Sequence, residues 1–167
     1  MWGRHYYLAQ ELKHKGYEVC IFASGYLHNQ FRETRGYGNK LFDTAIVNGV
    51  RYIWIKTFPY YRNDWRRILN MLSFALRVIK VGKNESSPDV IIASSFHPLT
   101  WISGYKLAKM HRSRFIVEVR DLWPETPISM GVLRKNGFVA RFLRGIEKFA
   151  YKKAERIITV LPDAYKY

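Results

Sequence analysis

Four short apolar runs constrain this chain more than any other feature: EVCIFAS (18–24), DVIIASS (89–95), FIVEV (115–119) and RIITV (156–160). Each is rich in Val and Ile, and none alternates strictly between apolar and polar residues. That is the pattern of strands covered on both faces. Stretches of helical length and period separate the later runs. Strands that alternate with helices need right-handed crossovers, so an α/β fold with a mainly parallel sheet is expected. One region breaks the rhythm. In DTAIVNGVRYIWIK (43–56), Asn48-Gly49 stands between two β-rich runs and predicts a hairpin with a type I′ turn.

Three helices can be read residue by residue. Residues 4–15 place Tyr6, Leu8, Ala9 and Leu12 on or near one face, and Gly16 is expected to end the helix before a strand begins. Residues 65–81 carry a narrow polar stripe of Arg66, Asn70, Ser73, Arg77 and Lys80. Almost everything else there is apolar, including Ile68, Leu69, Leu72, Phe74 and Leu76. Residues 138–153 set Val139, Phe142, Ile146 and Phe149 against Arg141, Arg144, Lys148 and Lys152. Apolar faces of this kind cover a sheet or lie partly in a lipid interface, and core packing is the expected use.

The 167 residues suit one domain with a full core. The lone cysteine, Cys20, rules out a disulfide within the chain and fits a reducing compartment. Its place in an expected buried strand makes it a poor nucleophile. No uncharged apolar stretch reaches the roughly 18 residues that span a bilayer. The N-terminal stretch lacks the apolar core of a signal peptide, so a cytoplasmic protein is expected. Charge is the outlier: 28 Lys and Arg against 13 Asp and Glu give +15. Such a field favours nucleic acid, anionic lipid or phosphorylated small molecules. The absence of zinc-finger spacing, a ribonucleoprotein box or a basic zipper argues against nucleic acid.

In an open parallel sheet, ligands bind beyond the carboxyl ends of the strands. Ser24 follows the first run, and Ser94, Ser95 and His97 follow the second. The third run is interrupted sharply: FIVEVRDLWPETP passes from core to Arg120 and Asp121, with Trp123, Glu125 and Thr126 beyond. Pro124 and Pro127 would stiffen that loop and hold its polar groups in place. Other uses remain open. Asp121 could cap a short helical turn, Arg120 could pair with Glu118 or Glu125, and His97 could cap a helix from about Leu99. His14, His28 and His111 read as loop or surface residues, and no pair has metal-ligand spacing. Dinucleotide, Walker and nucleophile-elbow signatures are missing.

A doubly wound domain opens with a strand, a glycine turn and a helix. Here Gly3 stands directly before the helix, and LPDAYKY closes the chain just after a strand. The chain is therefore expected to be the middle of something larger.

The segments GRHYYLAQELKHKGYEVCIFAS, NGVRYIWIKT, RILNMLSFALRVI, PDVIIASSFHP, FIVEVRDLWPET and EKFAYKKAERIITVLP follow in a familiar order. Together they resemble the N-terminal half of a retaining, GT-B-fold glycosyltransferase of family 4. The nearest likeness is to bacterial fucosamine transferase-like enzymes of O-antigen and capsule assembly. EVRDLWPET with SSFHP is the specific part of the likeness. The resemblance implies a Rossmann-like sheet with helices on both faces, one half of a GT-B fold, lacking its central first strand. It makes residues 1–167 a single incomplete acceptor-side domain whose C-terminal nucleotide-sugar domain is absent, so this chain alone is expected to be inactive. An open sheet edge would invite a homo-oligomer.

The resemblance also implies roles. Gly3, flanked by Arg4 and His5, would approach the donor diphosphate at a helix N-terminus. Ser95 and His97 would line the acceptor side, and Glu125 is expected to bind substrate. Arg120 and Asp121 occupy the place where many relatives carry a His-Asp pair near the transferring sugar. A guanidinium that does not deprotonate suits charge stabilisation better than base catalysis. The partners implied are a nucleotide-sugar, bound as substrate, and a polyprenyl-diphosphate-linked or saccharide acceptor, with no cofactor or metal. Lipid-linked acceptors would place the protein at the periphery of the inner membrane. Tyr61, Arg62, Trp65, Arg66 and Arg67 are the expected contact with that anionic surface, each nearby cation adding roughly 1 kcal/mol. The alternative is a non-catalytic basic α/β module on anionic membrane or nucleic acid.

Overall fold

The computed structural model describes residues 3–160, so LPDAYKY lies outside the described residues. The chain divides into two compact units, Met1–Val78 and Ile79–Tyr167, each with its own sheet.

The first unit opens with α1 (Arg4–His14), entered from Gly3 in extended conformation. Gly16, at φ +86°, takes the left-handed position that ends the helix, as its sequence position predicts. The sheet has the order β1-β5-β4, from β1 (Cys20–Ser24), β4 (Phe42–Val47) and β5 (Val50–Ile55). β1 runs parallel to β5, and β4 antiparallel to it. Asn48 and Gly49 both have positive φ in the β4–β5 hairpin, as a type I′ turn demands. A two-residue pair, β2 (Tyr26–Leu27) with β3 (Arg32–Glu33), lies between β1 and the hairpin.

Three expectations for this unit need correction. Cys20 is exposed, because it starts a strand at the sheet edge that pairs only on its β5 side. Of the four α1 residues expected inside, only Ala9 is fully buried, and Leu8 is exposed. The helix rests on Val50 and Tyr52 through the small Ala9 side chain, and Leu8 lies a third of a turn away. The third correction concerns α2 (Trp65–Gly82), which buries Ala75, Val78 and Val81 but turns a row of large apolar side chains outward. The middle of its polar stripe faces inward: Asn70 Nδ2 donates to Thr57 Oγ1 and to the Phe58 carbonyl, Ser73 Oγ accepts the Phe58 N–H, and Arg77 donates to the Lys56 carbonyl. Trp65, Ile68, Leu72 and Leu76 are left exposed. Residues 56–58 leave strand order as they exit β5, and their backbone groups need partners that apolar side chains cannot supply.

The second unit carries β6 (Val90–Ser94), α3 (Leu99–His111), β7 (Arg114–Val119), α4 (Glu125–Ser129), α5 (Phe138–Lys153) and β8 (Arg156–Thr159). Its sheet, ordered β6-β7-β8, is parallel throughout. The core gathers Ala93, Phe115, Val117 and Val119 from the strands, Trp101 and Ala108 from α3, and Ile146 and Ala150 from α5. A side chain at Gly104 would come within 2.6 Å of the Ala93 methyl, so α3 packs directly on β6. The four runs thus form strands as expected, and the architecture is the expected α/β fold. In this sheet, however, only the central β7 is well covered, while Val90 and Ile92 of β6 and Ile157 of β8 are exposed on the outer strands. Helix α5 differs in facing: Ile146 is buried and Phe149 partly so, but Val139 and Phe142 are exposed. The buried face runs through Ala140, Ile146, Glu147 and Ala150, one step around from the face that periodicity favours.

Candidate functional site

In the second unit, β6 and β7 run parallel in register, with Ser94 opposite Glu118, so both strands deliver their carboxyl ends to one edge. Just past it, the Ser95 N–H donates to the Glu118 carbonyl at 2.9 Å. The fully buried Ser95 Oγ accepts the Arg120 N–H at 2.8 Å. One hydroxyl therefore ties the SSFHP turn to the first residue of the RDLWPET loop. His97 is buried beside it. Pro98, rather than His97, holds the α3 cap position, without a side-chain bond, and the His97 carbonyl accepts the Thr100 N–H.

Arg120 and Asp121 leave this edge exposed to solvent. The alternative uses at Asp121 and at Glu125 are not seen. Helix α4 begins at Pro124 without a side-chain cap, so Asp121 does not cap it. The Glu125 carboxylate is held by Arg144, through Nε at 3.0 Å and Nη2 at 2.7 Å, rather than by Arg120. The Trp123–Pro124 peptide bond is cis, and Pro124 is buried. Two polar atoms here, Ser94 Oγ and Trp123 Nε1, are buried without a hydrogen-bond partner among the described residues. Such groups are costly unless something bonds them.

The first unit holds Gly3, Arg4 and His5 at the start of α1. Gly3 and His5 line an open cavity of about 360 Å³, floored by Ile21 and Ala23 of β1 and by Tyr52 and Trp54 of β5. Arg35 lies over the Trp54 ring, 4.3 Å from its centroid. Gly3 is exposed, and a side chain there would meet nothing within 4 Å.

Ser24, at the end of β1, behaves unlike Ser94. Its Oγ lies 3.3 Å from Thr57 Oγ1 and accepts the Tyr26 N–H at 3.1 Å. Thr57 in turn accepts from Asn70 at 2.9 Å. Beside this chain, the Tyr26 hydroxyl bonds the Tyr60 carbonyl, and His28 Nδ1 lies 2.7 Å from the Tyr60 hydroxyl. Burial, helped by the nearby Arg67 charge, pushes the His28 pKa below its ordinary 6.5. His28 and His111 are therefore not simple surface residues; His111 Nε2 lies 2.8 Å from the Gly82 carbonyl. Sequence reasoning missed Thr57, Asn70 and Tyr60 in this network. The position of Asn70 and Ser73 on an otherwise apolar helix was the available signal.

The residues expected at a membrane form a basic aromatic segment. Tyr61 and Trp65 are exposed, Arg62 and Arg66 share Asp64 at 3.0 and 3.6 Å, and Arg67 Nη1 donates to Asn63. Among the described residues no cluster of His, Cys, Asp or Glu could hold a metal ion, and no helix is long and apolar enough to cross a membrane.

The edge of the second unit thus sets a permanent cation beside a carboxylate on an exposed loop. Behind them lie hydroxyl and indole groups with bonding capacity in reserve. That arrangement suits a ligand carrying both hydroxyls and negative charge. Among curated proteins the chain finds no match. The family model for a glycosyl transferase 4-like domain matches residues 2–167. With nearly every residue inside that match, the chain belongs to the glycosyl transferase 4-like domain family.

Proposed function

We propose that this chain is the acceptor-side domain of a retaining bacterial glycosyltransferase of the fucosamine transferase-like group. The enzyme would move a hexose-type sugar from a nucleotide-sugar to a polyprenyl-diphosphate-linked or saccharide acceptor in capsule or O-antigen assembly. The observation that carries this reading is the Arg120 N–H to Ser95 Oγ bond, which binds the two most specific motifs into one edge. In this reading Arg120 offsets developing charge on the transferring group, and Asp121 orients an acceptor hydroxyl. Ser95 and His97 shape the acceptor side, and Glu125 acts through Arg144 to set the loop. Gly3, Arg4 and His5 bring the α1 N-terminus to the donor diphosphate. Donor binding falls mainly to a further domain, so residues 1–167 alone would transfer no sugar. No cofactor or metal enters this reading. The family match does not favour the non-catalytic alternative.

The reading places the protein on the cytoplasmic side of the inner membrane. Tyr61, Arg62, Trp65, Arg66 and Arg67, continued by the outward Ile68 and Leu72 of α2, would meet anionic lipid. The strands β1 and β6 end their sheets, and pairing of two copies along such an edge belongs to the same reading.

The test is transfer of labelled sugar by the full-length protein to a polyprenyl-diphosphate saccharide. Arg120→Ala and Asp121→Ala should each lower kcat/KM by about a hundredfold, the scale of losing one charge-stabilising group, with the melting temperature unchanged. Transfer by both variants at the parent rate would sink the assignment.

A further inference from the structure

We propose that the α4–α5 connector and the first turns of α5 form a second lipid-contacting surface, whose partner is an anionic bilayer interface. The proposal rests on the membrane part of the reading above and adds a separate surface in the other unit. Five large apolar side chains project from this short stretch: Met130 at 71% exposure, Val132 at 74%, Phe138 at 85%, and Val139 and Phe142 at over half. Scattered exposed apolar residues are ordinary, but five within thirteen positions are not.

The stretch is held in place rather than loose. Val132 and Leu133 N–H groups donate to the Pro127 carbonyl at 3.0 and 3.1 Å, and Gly137 N–H to the Arg134 carbonyl at 3.0 Å. Arg144 braces it further: while its Nε and Nη2 grip Glu125, its Nη1 donates to the Lys135 carbonyl at 2.9 Å. The apolar side chains are therefore presented on an ordered backbone.

Charge identifies the occupant. No Asp or Glu occurs from residue 126 to 146, and Arg134, Lys135 and Arg141 are exposed among the apolar residues, with Lys148 two turns further on. A second copy of this chain would bring the same cations and repel. A bilayer interface accepts apolar side chains to a depth of about 5–10 Å while keeping flanking cations among anionic headgroups, and it needs no matching groove. Helix α5, with 16 residues, is about 24 Å long at 1.5 Å per residue. That falls short of the roughly 30 Å hydrocarbon core, so the helix would lie in the interface rather than cross it.

The experiment is co-sedimentation of the full chain with vesicles of phosphatidylcholine, with and without phosphatidylglycerol. The parent should bind the anionic vesicles far better than the neutral ones. Phe138→Ser with Phe142→Ser, both at exposed positions, should lower the partition coefficient at least about tenfold with circular dichroism unchanged. Lys135→Glu with Arg141→Glu should lower it by about fivefold or more per cation. Ile68→Ser with Leu72→Ser on α2 serves as the comparison. Parent-like binding by the Phe pair alongside loss in the α2 pair would overturn this surface and leave α2 standing. No binding by the parent would remove both surfaces, while the sugar-transfer test stands apart. Should the Phe pair misfold, an environment-sensitive dye at Val132→Cys, in a Cys20→Ser background, decides. Its emission should shift to the blue on anionic vesicles, and an unchanged spectrum overturns the proposal.

Discussion

Two serines, Ser24 and Ser94, each close a parallel strand, yet their surroundings differ. In the first unit the edge is consumed by structure: Ser24, Thr57 and Asn70 satisfy one another, and Tyr26, Tyr60 and His28 close the space beside them. In the second unit Ser94 Oγ and Trp123 Nε1 have no partner among the described residues, and Arg120 and Asp121 stand open. A hydroxyl at a strand end therefore marks position in the fold, not function. What separates the two is whether the chain supplies the bonding partners itself.

Substitutions that break the first edge should cost the most. Asn70→Ala removes the donor to the Phe58 carbonyl and leaves Thr57 Oγ1 with Ser24 alone, and should lower stability by about 1–3 kcal/mol in urea unfolding. Ser95→Ala comes next, at about 1–1.5 kcal/mol, because the Arg120 N–H loses its acceptor beneath the loop. Unlike Asn70→Ala, it should also reduce sugar transfer by the full-length protein, since the displaced residue is Arg120. If both substitutions affected stability alone, the contrast between the edges would collapse.

His28 gives a smaller, pH-dependent signal. Its folded pKa lies below the ordinary 6.5 because of burial and Arg67, so the unfolded chain binds the proton more readily. The stabilising contribution is complete above about pH 6.5 and is lost as the pH falls through the lower folded value. His28→Gln should flatten that acid-side decline in melting temperature; an unchanged slope would show that His28 does not carry it. Smallest of all, Ser94→Ala should change stability by less than about 0.5 kcal/mol, since no internal bond is lost. A loss as large as that of Asn70→Ala would mean that Ser94 is a structural residue after all.

The contrast also explains what could be read from the sequence. Strand positions and helix limits were legible because they follow from apolar runs and glycine punctuation. Residues 138–153 were expected to be helical, and Phe138–Lys153 is the helix found. Facing was not legible. Periodicity marks a stripe on α2 but does not say which side meets the protein; the backbone of residues 56–58 decided that by bonding Asn70, Ser73 and Arg77. On α5 the inner face follows small Ala140 and Ala150 rather than bulky Val139 and Phe142. At the candidate site, the strand ends and the RDLWPET loop were readable as an edge. The grip of Arg144 on Glu125 was not, because the two residues are 19 positions apart.

The most direct measurement is the indole N–H resonance of Trp123 during titration of the chain with a short-chain prenyl-diphosphate saccharide. If the second unit's edge receives the acceptor, that resonance and the Arg120 amide should shift together and saturate, and Arg120→Ala should weaken the effect. An unmoved Trp123 indole, with any shifts confined to residues around Gly3 and His5, would contradict the assignment of this edge as the acceptor site.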